Sequence, residues 1–493
     1  MKMLASVVLL AGASVAAFAQ TAPQSAAGDT GGKSSKGAVM KGKTPFSSEV
    51  LKVKLPKPQE ATLSNGLQIA LIENGKIPMF SMQMVFKTGG GLSDPNDKRG
   101  LAFLTASLLR EGTSKRTSQQ ISEQIESLGA TLTNNAGMTG FTANISTAGL
   151  IENFDSTLDV FADIIRNPQF PAAEVEKFRT RNLSQMQLQR SAPQFASLEQ
   201  FYKAVYGTHA AGALLASPET LKTVASDEIK RFHATFYRPN NAHLIVIGSV
   251  SMKELLPKLE RAFSDWQKSE VPALSIAPVS APEKSGVFLV NRPGSVQTAL
   301  RIGSLGINRN DPDFFALQVM NQIFGGGTTG RLFLNLREAK GYTYGAYSNL
   351  FASKYPGLTW AEAEVRTEVT ADALGEFMAG FGRIRDEKVS PAELENAKRS
   401  LTGVFALSLE APQALVSNIN TQKLYDLPAD YWDKYPQRIN AVTAEDVQRA
   451  ARKYYDPSRL QIVAVGDAAK IRDALRKYGS VETFDADGKP AAR

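Results

Sequence analysis

The chain has no cysteine and only three histidines among its 493 residues. Without cysteine there are no disulfides, so packing alone must hold whatever it folds into. The histidines, His209, His233 and His243, are scattered, and neither zinc-helix pattern, His-Glu-x-x-His nor His-x-x-Glu-His, occurs. Each histidine reads as structural or solvated, and a relocated metal site has too few ligand types to draw on. Basic stripes interleaved with aromatics are also lacking, so nucleic-acid binding is not expected. The net charge of +8, with a pI near 9.3, supports no more than mild steering of acidic partners. The apolar run at Leu4 to Ala13 is too short, and too abruptly followed by polar sequence, to persist as a membrane span.

What is present is ordinary globular material, 43% apolar and 21% charged, long enough for two to four domains. Met1 to Gln20 reads as a secretory signal: Lys2 gives the positive start, Leu4 to Ala13 the apolar segment, and Ala17-Phe18-Ala19 a small-x-small cleavage site. Cleavage after Ala19 predicts an exported, periplasmic chain, and with no cysteine beyond that point no lipid anchor or other membrane anchor is expected. Residues 20–46, rich in Ser, Gly, Ala and Lys, read as a flexible arm.

From Pro58 the pattern settles. Thr62 to Ile72 reads as a hairpin turning at Asn65-Gly66, Phe80 to Thr88 as a second strand, and Gly89 to Gly100 as a turn-rich loop. Leu101, Leu104 and Leu108 lie on one face of a helix over Leu101 to Arg110. Thr117 and Gln120 form a capping box for a helix whose stripe is Ile121, Ile125 and Leu128. Gly129 to Gly149 alternates like a strand pair, and two long helical segments are expected to about residue 204. An internal repeat then decides the architecture. Val224 to Gly248 aligns without a gap with Val442 to Gly466, offset by 218 residues, and each copy runs helix, Tyr-x-Pro break, buried strand, Gly. Residues 67–110 echo 286–324 more loosely. The fold class expected is α+β, in two homologous tandem domains at 47–265 and 283–480, with a linker at 266–282 and a tail at 481–493.

The second half holds the stretch Gly325 to Ser348, GGGTTGRLFLNLREAKGYTYGAYS. Gly325, Gly326 and Gly327 allow close backbone approach and positive φ. Leu332, Leu336 and Ala339 fall at helical spacing, Gly341 is placed to end that helix, and Tyr342 and Tyr344 alternate in a strand. No Gly-Lys-Ser/Thr follows the glycines, so nucleotide binding is not expected.

These features resemble the insulinase/pitrilysin family of zinc peptidases. The resemblance rests on Gly100-Leu101-Ala102 through Glu111-Gly112-Thr113, on Ile125 to Thr142, on the two Tyr-x-Pro strands and on Gly325 to Tyr344. It implies two α+β domains per chain, forming half of a clamshell that cuts unfolded peptides. It also implies a His-x-x-Glu-His helix, whose histidines bind zinc and whose glutamate activates the metal-bound water. Laid on that motif, this chain has Phe103 and Ser107 in place of the histidines and Ala106 in place of the glutamate. Gln185 falls near the place of the distal carboxylate. No zinc is therefore expected in this chain, nor peptide hydrolysis by it alone.

In the family an Arg and a Tyr in the second half reach across to the zinc site, and here Arg337 and Tyr344 stand seven residues apart within LREAKGYTY. A guanidinium and a phenol can both donate to a developing oxyanion. Tyr342 is the alternative if the register slips by two. The resemblance also makes Leu132 to Ile145 an edge strand for β-augmentation by substrate. Asn135 and Ala136, with Gly325, Gly326, Gly327 and Tyr342, are the expected substrate contacts. The reading that follows is a non-catalytic subunit of a heteromeric peptidase, whose homologous partner carries His-x-x-Glu-His and the zinc. A non-enzymatic peptide-binding or scaffolding clamp is the alternative.

Overall fold

The computed structural model describes residues 51–491, so the expected leader at 1–19 and the arm at 20–46 lie outside the described residues. From Lys52 onward the chain forms one unit built on two six-stranded sheets. The first contains β1 (Gln59–Thr62), β2 (Gln68–Glu73), β3 (Met79–Phe86), β4 (Thr131–Ala136), β5 (Ala143–Leu150) and β6 (Ala242–Gly248), in the order β1-β2-β6-β3-β5-β4. The second contains β7 (Gly286–Asn291), β8 (Gln297–Leu305), β9 (Thr343–Phe351), β10 (Leu358–Arg366), β11 (Gln461–Gly466) and β12 (Val481–Phe484), in the order β12-β7-β11-β8-β10-β9. Five strands correspond one to one. In both sheets the repeated strand, β6 or β11, is parallel to one neighbour and antiparallel to the other. β6 and β11 are buried along their whole length, which is why both read as nearly unbroken apolar runs.

The sixth strand breaks the symmetry. β1 joins antiparallel through the Asn65-Gly66 turn, with Gly66 at φ +91°, whereas β12 joins β7 in parallel from the far end of the chain. The residues expected to be a tail, 481–493, therefore include a strand of the second sheet. A short edge strand reading VETF carries too little alternation to be distinguished from a loop.

Among the described residues eight α-helices are interspersed with the first repeat's strands: α1 (Leu101–Leu108), α2 (Ser118–Ser127), α3 (Phe154–Arg166), α4 (Ala172–Ser191), α5 (Pro193–Tyr206), α6 (Pro218–Thr223), α7 (Ser226–Phe236) and α8 (Met252–Phe263). The second repeat adds α9 (Phe314–Gly325), α10 (Arg331–Phe333), α11 (Thr370–Asp386), α12 (Pro391–Ser408), α13 (Pro412–Leu424), α14 (Tyr435–Ala441), α15 (Ala444–Tyr454) and α16 (Ala468–Arg476). The capping box of Thr117 and Gln120 starts α2 as expected. The region after Gly149 holds three long helices, not two. Pro193 forces Ala192 into an extended conformation, φ −83° and ψ 120°, and splits α4 from α5.

Each sheet packs one face on helices of its own repeat. Met82, Met84 and Phe86 meet Leu104, Phe161 and Leu259 in the first core, while Leu300 and Ile302 meet Leu317, Phe324 and Phe377 in the second. The opposite faces are covered by exchange. α5 of the first repeat lies on β8 and β11, burying Ala196 against Val290, Ala299 and Val465. α13 of the second lies on β6 and β3, burying Leu415, Val416 and Ile419 against Ile72, Ile245 and Ile247. The two halves are thus interlocked within the chain.

Candidate functional site

The Gly325–Ser348 stretch runs from the end of α9 to the free-edge strand β9. A Cβ on Gly325 would lie 2.6 Å from the Ser348 backbone nitrogen and 2.9 Å from Leu332 Cδ1, so the helix end rests directly on the strand. Close approach is what these glycines provide. None of the three has a positive φ, contrary to one of the two expectations for them.

After α10 the helix widens into a π-helical turn, Leu334–Ala339. Leu332 and Leu336 are buried as predicted, but Ala339 is exposed, because the extra residue in the turn carries it off the buried face. Gly341, at φ +61°, ends the turn: its N–H donates to the Arg337 carbonyl and that of Tyr342 to the Leu336 carbonyl. Glu376 on α11 ties down both sides of Arg337. It accepts from Asn335 Nδ2 at 2.7 Å and pairs with Lys340 Nζ at 3.2 Å, and the Asn335 hydrogen bond leads the effects that lower its pKa. Nothing in the local pattern pointed to Glu376, which lies over thirty residues further along.

Arg337 and Tyr344 come together. The guanidinium carbon lies 5.2 Å from the centre of the Tyr344 ring, and Tyr344 is 83% exposed. A bulge aims it outward: β9 pairs Thr343 with Val365 but Ala346 with Ala363, so Tyr344 and Gly345 share one opposing residue. Thr343 Oγ1 fixes the bulge by donating to the Glu364 carbonyl at 2.7 Å and accepting from the Gly345 N–H at 3.1 Å. Tyr342 precedes the strand and packs half-buried against the second core, so the expected alternation that would put it on Tyr344's face does not hold.

At one edge of the first sheet stands β4. Asn135 is exposed there, whereas Ala136 is fully buried, so of Ala136 only the backbone is available to an added strand. Within Leu132 to Ile145 β4 alone is an edge strand, since β5 is flanked by β3 and β4. Behind β4 lies α1. Asn134 Nδ2 donates to the Ala106 carbonyl, and Arg110 Nη1 to that of Leu132 at 3.3 Å. Gly100, at φ +108°, begins α1, and the buried Asp94 accepts from the N–H groups of Gly100 and Ala102 at 2.6 and 2.7 Å. Burial pushes the Asp94 carboxyl up to about 7, opposed by those two amide donors.

The residues at the zinc-motif positions do not fit a zinc ion. Phe103 packs against the first core with its ring 6.0 Å from Phe178, Ala106 is fully buried without a carboxylate, and Ser107 and Gln185 are half-buried neutral groups. Among the described residues no three His, Cys, Asp or Glu cluster as a metal site. The histidines are occupied by structure. His209 bridges the Ala277 carbonyl and the Ala211 N–H, His233 meets the Ile165 carbonyl at 2.8 Å beneath Tyr237, and His243 meets Asn420 Oδ1 at 2.9 Å.

Fold and site together define a tandem-repeat, peptidase-like chain whose metal helix is filled with apolar and neutral groups. Residues 68–219 match the insulinase family (peptidase family M16), and residues 223–401 match the peptidase M16 inactive domain. The chain belongs to the insulinase, or M16, family. Among its relatives is the uncharacterized zinc protease YmxG of Bacillus subtilis, 23% identical over 80% of this chain and 95% of that one. The uncharacterized zinc protease SCO5738 of Streptomyces coelicolor is 26% identical over 75% and 82%. Two solved structures are similar: a peptidase M16 inactive domain from Pseudomonas fluorescens (27% identity, TM-score 0.76, covering 83% of this chain and 98% of that one) and a protease from Helicobacter pylori (18% identity, TM-score 0.77, covering 84% and 100%). The latter likeness concerns the fold alone.

Proposed function

We propose that this chain is the non-catalytic subunit of an exported, heteromeric zinc endopeptidase that degrades or processes unfolded peptides. The observation that carries the reading is an asymmetry: the metal helix has no histidine or carboxylate, while the half-buried Arg337 meets the exposed Tyr344 at a free sheet edge. A tyrosine 83% exposed adds almost nothing to a core, so its display on a fixed bulge suits a partner's surface. The homologous partner would hold zinc on its His-x-x-Glu-His helix, where the metal supplies an activated water. This chain would bring the Arg337 guanidinium and the Tyr344 hydroxyl to the scissile carbonyl and donate to the oxyanion as it forms. Extended substrate would add to a free edge, with Asn135 on β4 within reach.

The test is native purification from the periplasm with zinc analysis, followed by reconstitution with Arg337→Ala and Tyr344→Phe. The expected result is a second chain of similar size, about one zinc per pair, and chelator-sensitive cleavage that falls on the order of 10²-fold in each variant. Full activity of both variants in the assembled complex would refute the role of the pair. A zinc-free, inactive single species would favour a peptide-binding clamp.

A further inference from the structure

Two arginines are buried among the described residues, and they differ in their partners. Arg301 on β8 is fully buried and pairs with Glu362 at 2.5 Å. Arg309, in the loop from β8 to α9, is only 9% exposed, yet no carboxylate among the described residues lies within 4.0 Å of it. Its guanidinium carbon sits 3.8 Å over the Phe314 ring and 5.1 Å from that of Tyr431, and Nη1 donates to Tyr431 Oη at 2.8 Å. Among the described residues its other guanidinium donors have no hydrogen-bond partner, and Arg309 lines a cavity of about 460 Å3. A second guanidinium lines the same cavity. Arg438 on α14 lies 4.9 Å from the Tyr431 ring and 5.5 Å from Phe315, likewise without an ion pair among the described residues. Of the nearby acids, Asp430 is taken by Lys434, and Asp313 by Arg449 and Lys453; Asp311 and Asp426 line the same cavity, and among the described residues neither comes within 4.0 Å of either guanidinium.

A buried cation is costly unless a carboxylate is hydrogen-bonded to it, and charges that merely line the same cavity do not supply that contact. Stacking on rings holds a guanidinium face-on and leaves its edge of N–H groups for a planar bidentate acceptor. The cavity also contains two carboxylates, Asp311 and Asp426, so its four charges cancel. A multiply charged phosphate would leave the site strongly negative, whereas a single carboxylate, or one belonging to a zwitterion, would not. We propose that this cavity binds the α-carboxylate of a free peptide end. Arg309 also lines the adjoining groove of about 520 Å3, where Gln322, Gly326, Gly327 and Trp432 would receive the rest of the peptide. This assigns Gly326 and Gly327 a contact that the Arg337–Tyr344 edge does not use, and it does not depend on a zinc-bearing partner.

The test is calorimetric titration of the purified mature chain with the tripeptide Gly-Gly-Leu, its C-terminal amide, and inorganic phosphate. The acid should bind saturably and the amide at least about tenfold more weakly, as loss of a charge-assisted bidentate pair requires. Arg438→Gln should weaken the acid comparably at an unchanged melting temperature, and Arg309→Met should abolish the difference between acid and amide. Equal binding of acid and amide, or no binding of either at millimolar concentration, would overturn the assignment. Displacement of the peptide by phosphate would overturn it too, since the site would then be a general anion site.

Discussion

If the two halves are truly interlocked, the chain should report a single buried methyl pair on α13 as a loss of global stability. Val416 is fully buried where α13 crosses the first sheet, among Ile72, Ile245 and Ile247. Val416→Ala removes two carbons, worth ~1.6 kcal/mol in transfer, and the cavity left behind adds roughly another 1 kcal/mol. Alanine's better helix propensity returns about 0.5 kcal/mol, so the expected net loss is about 2 kcal/mol. Urea unfolding followed by far-UV circular dichroism measures it, as a lowered midpoint at unchanged slope. Val404→Ala is the control: Val404 is 63% exposed on α12, and its truncation should change stability by less than ~0.5 kcal/mol. The interlock predicts one transition, shifted whole, because α13 belongs to one repeat by sequence and to the other sheet by packing. A loss no larger than the control's, or a transition that splits so that one half unfolds alone, would refute the reasoning.

Acid should weaken the fold through its histidines. Burial is the main cause that pushes His233 and His243 down to about 4 from 6.5, and at His243 the cations Lys423 and Lys87 add to it. A lowered histidine pKa means the unfolded chain takes up protons first, so this stability is full above about pH 6.5 and is lost as the pH falls toward 4, by roughly 3 kcal/mol per histidine. Comparing urea midpoints of the native chain and His243→Gln at pH 7 and 5 isolates one of them: the variant should lose less on acidification, and equal losses would contradict the sign. Gly325→Ala should cost about 1–3 kcal/mol by forcing α9 off β9, measured by the same unfolding, because the nearest obstacle is backbone that β10 holds in place. Had the glycine been needed for a turn alone, alanine would have been tolerated, since φ at Gly325 is not positive.

Much of this was legible in the residues. The 218-residue offset between Val224–Gly248 and Val442–Gly466 announced two related sheets because helix, proline break and buried strand recur in register. The helix, closing glycine and strand that carry Arg337 and Tyr344 were read from the residues, while singling out that pair rested on the resemblance to the zinc peptidases. What escaped is non-local or depends on irregular backbone. Alternation put Tyr342 on Tyr344's face, but the turn at Gly341 and the bulge at Gly345 change the phase between them. A π-helical turn moved Ala339 off the buried stripe for a similar reason. The exchange of α5 and α13 had a faint signal, Ala-Pro-Gln at both 192–194 and 411–413, that marks two helix starts but says nothing of which sheet each helix covers. Arg309 gave none: a buried arginine is recognised as unpaired only once its neighbours are placed.

The exchange of helices has a consequence for how such a chain could have arisen and how it can be taken apart. Each repeat lends a helix to the other and receives the equivalent helix in return, which is the contact pattern of a two-fold domain-swapped dimer whose protomers have been joined end to end. The segment at 266–282 would then be a tether and not a hinge. Cutting it should leave a single particle held by apolar surfaces, while either repeat made alone would present a bare sheet face to water and go looking for its twin.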